Sequence, residues 1–255
     1  MKKYFLILFY SFLHNGKNRK EILVRSLFFI TILYIFSKLW QATQFSSASN
    51  PQTMIWYLSV TELIVLSIPL IQVDIENDIR SGDIIYQLLK PINYLGLKIF
   101  ECIGAFLFRF IVLTLISIPF CTFLSGYTPP LSLLCSVYLI AGVSGLVFIL
   151  FHMTIGLLAF KLQDSSPLFW VWQRCSFLLG GLVIPLDFYP TFLRKIAFFS
   201  PFASLLYAPA RLIIELNVEK VLFVLAGLLF WGSIALFLAS WLYSRMLKSL
   251  KVNGG

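Results

Sequence analysis

The chain has 255 residues, of which 59% are hydrophobic, 17% aromatic and only 12% charged, about half the charged share of a soluble domain. At a mean hydropathy of +0.89, so few charges cannot cover a soluble core, which excludes a soluble enzyme, while the aromatic wealth excludes intrinsic disorder. The 20 Lys and Arg against 11 Asp and Glu, a formal +9, read in this setting as membrane topology rather than nucleic-acid binding. Apolar residues run unbroken instead of alternating, so a barrel is disfavoured and the expected class is an all-α membrane protein.

In chain order, Lys2 and Lys3 precede an apolar run over 4–13. That run is too short to span, and no small-residue cleavage site precedes the polar stretch from His14 to Lys20, so residues 1–20 read as a helix lying in the cytoplasmic interface. A span needs about 20 mostly apolar residues. Six segments meet this: 22–40, 54–73, 100–124, 131–160, 168–186 and 221–244. The fourth is longer than a bilayer requires and should tilt or extend beyond it.

Loop charges give the orientation. Lys2, Lys3, Lys17, Arg19, Lys20 and Arg25 lie before or at the first span. Arg80, Lys90 and Lys98 follow the second, Lys161 the fourth, and Arg245, Lys248 and Lys251 the last. The loops 41–53 and 125–130 carry no Lys or Arg. The bias puts both termini on the cytoplasmic side of an inner membrane. One loop disagrees: 187–217, expected outside, carries Arg194, Lys195 and Arg211. It also contains Pro190, Pro201 and Pro209 between apolar stretches over 192–199 and 202–207. Too broken for a span and too apolar for a free loop, it reads as short helices dipping into the outer leaflet, with an amphipathic surface helix as the alternative.

Motifs for covalent chemistry are missing. Gly16-Lys17 lacks the rest of a P-loop, no H-E-x-x-H or G-x-S-x-G occurs, and no catalytic or metal-ligating residue is expected. Cys102, Cys121, Cys135 and Cys175 sit in apolar stretches and read as small hydrophobes. The acids Asp74, Glu76, Asp78 and Asp83 are interleaved with Arg80, a weak pattern for a metal site.

The most informative stretch is the loop over 74–99. The helix of the second span runs to about Arg80, where Gly82 stops it by adopting the left-handed conformation. Asp83 is a suitable N-cap for a short helix, which ends before Pro91. On it Ile84, Ile85, Leu88 and Leu89 form an apolar face, and Asn93 caps the helix entering the third span. Two readings of such a helix stay open on local physics: docking into a partner's groove, or lying on the membrane surface.

The stretch Ile79-Arg80-Ser81-Gly82-Asp83-Ile84-Ile85-Tyr86-Gln87-Leu88-Leu89-Lys90-Pro91-Ile92 resembles the pattern after the second span in permease subunits of type-2 ATP-binding-cassette exporters. The six-span arrangement with an interfacial N-terminal helix and a broken segment before the last span is similar to theirs throughout. The resemblance implies a permease that pairs with a second permease, identical or sister, and with a cytoplasmic ATPase that uses ATP and Mg; this chain itself binds no cofactor and no nucleic acid. It makes the short helix a coupling helix. Gly82 and Pro91 would fix its geometry, Leu88 would supply apolar contact, Arg80, Asp83 and Lys90 would supply polar contacts, and Tyr86 is carried over with them although it faces away from the apolar face.

Glu62 and Arg109 are the charges placed within spans, hence candidates for a pathway or for structural pairing. They motivate the alternative of a gradient-driven secondary transporter or channel. No residue selects a substrate.

Overall fold

The structure, a computed structural model, describes residues 2–42 and 51–253, so most of the loop 41–53 lies outside the described residues. The described residues are helical with connecting turns, in line with the all-α expectation. α1 (Lys2–Lys17) and α2 (Arg19–Ala42) are followed by α3 (Pro51–Ser67), α4 (Ile71–Arg80) and the short α5 (Asp83–Leu88). Two long helices come next, α6 (Tyr94–Ser125) and α7 (Leu131–Leu162). The chain ends with α8 (Ser166–Leu179), α9 (Thr191–Phe199), α10 (Ala208–Arg211) and α11 (Val218–Asn253).

Among the described residues, five passages are long and apolar enough to cross a bilayer: α2, α3 with α4 over Gln52–Arg80, α6, α7 and α11. The passage through α3 and α4 is central. Of its most apolar window 83% is buried, against 22% for α2 and for α11, whose outer faces carry exposed Leu and Phe. It breaks at Pro69, which lacks an amide proton. One polar cluster in the core is paired across helices: the Ser59, Ser117 and Tyr138 hydroxyls form a buried chain joining α3, α6 and α7, as hydrocarbon favours. Cys102 and Cys121 are buried, whereas Cys135 is exposed and Cys175 half-buried.

The sixth expected span, over 168–186, differs. α8 has 14 residues and so covers about 21 Å, short of the roughly 30 Å hydrocarbon core. Gly180 and Gly181 end it; Gly181 has φ +61°, where other residues are strained. The freed carbonyls are taken by α3: Tyr57 Oη donates to Gly181 O, and Thr61 Oγ1 donates to Leu182 O at 2.7 Å. Hydropathy marked these residues as a span because the stop lies in backbone conformation rather than polarity. The chain then turns through 182–217. Leu205 O accepts from Ser144 Oγ, about 20 Å along α7 from Leu131, so this segment reaches well into the bundle.

The side on which α4 ends and α6 begins carries most Lys and Arg and is termed the basic side. On the far side, Arg194, Arg211 and Lys220 meet carboxylates. Asp187 accepts from Arg194, Arg211 (2.6 Å) and Tyr207 (2.9 Å), and Lys220 meets Glu215. Lys195 has no ion pair among the described residues.

α6 has 32 residues, about 48 Å, which exceeds the hydrocarbon core by about 18 Å. α1 lies along that excess and points the same way. Tyr4 stacks on Phe100, Ser11 Oγ donates to Glu101 O at 2.6 Å, and Phe12 packs on Phe108. The approach is close because position 104 is glycine: a Cβ there would run into Leu8 O and Ser11. Gly104→Leu is therefore expected to cost about 1–3 kcal/mol of overpacking and to release α1. Limited proteolysis in detergent should cut within residues 2–17 several-fold faster, and unchanged protection would show that another contact holds α1.

Candidate functional site

The site is the basic-side tip where α4, α5 and α6 meet. α4 ends at Arg80, and Gly82 turns the chain with φ +79°, as its sequence requires. Gly82 is itself the N-cap of α5, and Asp83 is the first helical residue. The Asp83 carboxylate instead accepts from Ser81 Oγ at 2.9 Å, bracing the turn. Lys90 Nζ donates to Gln87 Oε1 at 2.7 Å, and Pro91 follows in a turn that leads to Asn93. Asn93 caps α6 by accepting from Gly96 N at 3.2 Å.

The expected single apolar face of α5 is divided. Ile84 is buried and Leu88 half-buried against the core, whereas Ile85, Tyr86 and Leu89 are 55, 71 and 77% exposed. The reason is helical geometry. Ile84 and Leu88 form one i,i+4 stripe, and Ile85 and Leu89 form a second, rotated by about 100°. The inner stripe fixes α5 to the bundle, which leaves the outer one, with Tyr86, facing away. Arg80, Asp83, Lys90 and Pro91 are exposed around it.

Two buried ties hold the tip to the spans. Asp78 of α4 accepts from Lys98 Nζ at 2.7 Å and from Tyr94 Oη at 2.8 Å, both on α6, and Tyr94 stacks on Tyr243 of α11. Glu76, which is nearly enclosed, accepts from Ser165 N at 3.1 Å and from Ser165 Oγ, and meets Arg80 at 2.9 Å. This fastens the α7–α8 turn to α4. Neither tie was visible in the sequence, where Glu76 and Asp78 read only as part of a weak metal-site pattern; their spacing of two residues on a helix, which points them to different faces, was the available signal. Among the described residues, these acids do not gather into a metal-sized group.

Arg109 and Glu62 behave differently from each other. Arg109 meets Glu21 at 2.8 Å and Asn15 at 3.3 Å. Glu21 also binds Arg25, whose Nη1 donates to Leu66 O at 2.8 Å, beside the Pro69 break. The partner of Arg109 thus comes from the N-terminal arm, and the i,i+4 pair Glu21 and Arg25 was its sequence trace. Arg109 lies about 24 Å along α6 from Ser125, near the basic-side edge of the hydrocarbon. Glu62 is buried in α3 and has no ion pair or hydrogen bond among the described residues. A cavity of about 590 Å³ opens between α1, α2, α4 and α6, and its wall holds Glu21, Arg25, Asp74, Lys98, Glu101 and Arg109.

A bundle of apolar passages with an exposed apolar tip defines an integral membrane protein. The chain belongs to a family described as ABC-2 family transporter protein, whose sequence profile matches residues 22–254. It is thus a membrane component of an ABC transporter. No curated protein matches the chain.

The tie at Glu76 has a measurable consequence. Glu76→Ala removes the acceptor of both Ser165 donors and is expected to destabilise by about 1.5–3 kcal/mol, with a lower melting temperature in detergent. Arg80→Ala breaks only the exposed half of the pair and should cost at most about 1 kcal/mol. Equal losses would refute the assignment of Ser165 as the partner that matters.

Proposed function

We propose that this chain is the permease subunit of an exporter driven by ATP that a separate cytoplasmic ATPase hydrolyses with Mg. The observation that carries the reading is the outer stripe of α5. Ile85, Tyr86 and Leu89 stand exposed at the end of a hairpin whose inner stripe is packed. Burying three such side chains in a partner's groove is worth about 1.5–3 kcal/mol each before association costs. Arg80, Asp83 and Lys90 ring the stripe with polar contacts, and Gly82 and Pro91 set its two ends. Leu88, from its half-buried position, supports α5 from behind.

The ties give the docked helix mechanical purchase. A load on α5 passes to α4 directly and to α6 through Asp78, Lys98 and Tyr94. It reaches the α7–α8 turn through Glu76 and Ser165. Such contiguous contacts are the physical means by which closure of an ATPase would move the spans. In this arrangement the basic side is cytoplasmic, both termini lie there, the membrane is the inner membrane, and a second permease, identical or sister, completes the pathway. Family membership weighs against the gradient-driven reading; Glu62, buried without a partner, is the residue on which that reading rests.

The test is affinity purification of the full chain from its native membrane in mild detergent. A P-loop ATPase should accompany it at about one per permease. Tyr86→Glu combined with Leu89→Glu should lose the ATPase while the chain stays inserted and monodisperse. Retention of the ATPase by that variant, or its absence from the wild type, would overturn the proposal.

A further inference from the structure

Between the basic-side ends of α7 and α11 lies a groove of about 630 Å³. Its charged lining residues are Lys161 and Arg245, both cations and both exposed. Neither meets a carboxylate among the described residues. Among the described residues, no acid lines the groove. The Arg245 guanidinium sits 5.3 Å from the centroid of the Trp241 ring, one helical turn away and also part of the lining. Leu157, Leu158, Phe160 and Leu242 continue the wall away from the cations.

The level of the groove is set by helix length. Trp241 lies about 35 Å along α11 from Val218, beyond a hydrocarbon core of about 30 Å but within the roughly 40–45 Å that includes the headgroups, so this part of the groove lies at their level. Tryptophan at such a level is the ordinary residue of the membrane interface. Two unpaired cations at the headgroups, with an apolar wall running from them into the bilayer, have the shape and charge of a phospholipid-binding site.

We propose that this groove binds an anionic phospholipid of the basic-side leaflet. Its phosphodiester lies between Lys161 and Arg245, and one acyl chain follows Leu158 and Leu242. The missing acid sets the specificity. Phosphatidylethanolamine and phosphatidylcholine bring a cationic group that finds no carboxylate in the groove, whereas phosphatidylglycerol brings only the anion. Two basic residues at the membrane surface correspond to a preference of about 30-fold. The site is independent of how transport is powered.

The test uses the full chain in nanodiscs of equal phosphatidylglycerol and phosphatidylethanolamine, released into the gas phase for native mass spectrometry. Wild type should retain phosphatidylglycerol selectively. Lys161→Gln with Arg245→Gln should lose that selectivity about 30-fold, and Lys161→Gln alone should lose part of it. Lys17→Gln with Lys20→Gln, which removes the same charge elsewhere on the basic side, should retain it. Wild-type retention in the groove variant overturns the proposal and points to a protein acid as the occupant. Equal loss in both double variants overturns it as well, since net charge alone would then explain the preference.

Discussion

Hydrocarbon about 30 Å thick accepts helix and little else, and the rest of the molecule follows from how its helices exceed that thickness. α6 and α7 are each about 48 Å long and α11 is longer still. The surplus of α6 gives α1 a surface to lie on, Asp78 a lysine to bind, and α5 a stem to stand on. The surplus of α7 brings Ser165 to Glu76 and Lys161 to the groove beside α11. The tip and its ties all sit on this surplus, outside the medium that forbids irregular backbone and unpaired charge.

Within reach of the hydrocarbon, polar groups are accommodated by exchange of partners between distant segments. The Pro69 break leaves Leu66 O without its helical donor, and Arg25 supplies one. Arg25 is held by Glu21, which also neutralises Arg109. One arm residue therefore stabilises a broken span and a charged one together. At the opposite face Asp187 does the same work for Arg194, Arg211 and Tyr207, which allows an apolar, proline-broken segment to carry cations. A single carboxylate serving several donors is the economical answer where few acids are present.

The sequence made local features legible and hid those that depend on distant partners. The end of α4, the left-handed Gly82 and the Asn93 cap follow from rules acting over four residues, and they appear where those rules put them. Five of the expected spans follow from apolar length alone. The sixth did not, because Gly180 and Gly181 are apolar by composition yet end the helix by conformation, with Tyr57 and Thr61 receiving the freed carbonyls. The division of α5 into inner and outer stripes was equally hidden. Its four apolar residues in six, with Leu89 following, cannot reveal which side the bundle will cover. Glu21 and Glu76 were overlooked for a related reason: their partners lie 88 and 89 positions away in sequence.

These contacts sort the helices into two tightly packed sets. Gly156 lets the backbone of α7 press against Gln72 of α4, so those helices, with the α7–α8 turn on Glu76, have little freedom to slide. Gly104 does the same for α1 and α6. Between α3 and α4, by contrast, three residues lack regular helical hydrogen bonding, and Arg25 replaces one backbone donor with a flexible side chain. A side-chain hydrogen bond can lengthen or swing without unwinding a helix, whereas a backbone ladder cannot. The Ile68–Leu70 break is therefore the most compliant joint in the central passage. Displacement of the tip would be absorbed there, in the wall of the charged cavity that Pro69 and Leu70 line, and well below the Ser59, Ser117 and Tyr138 chain that joins the far half of the bundle.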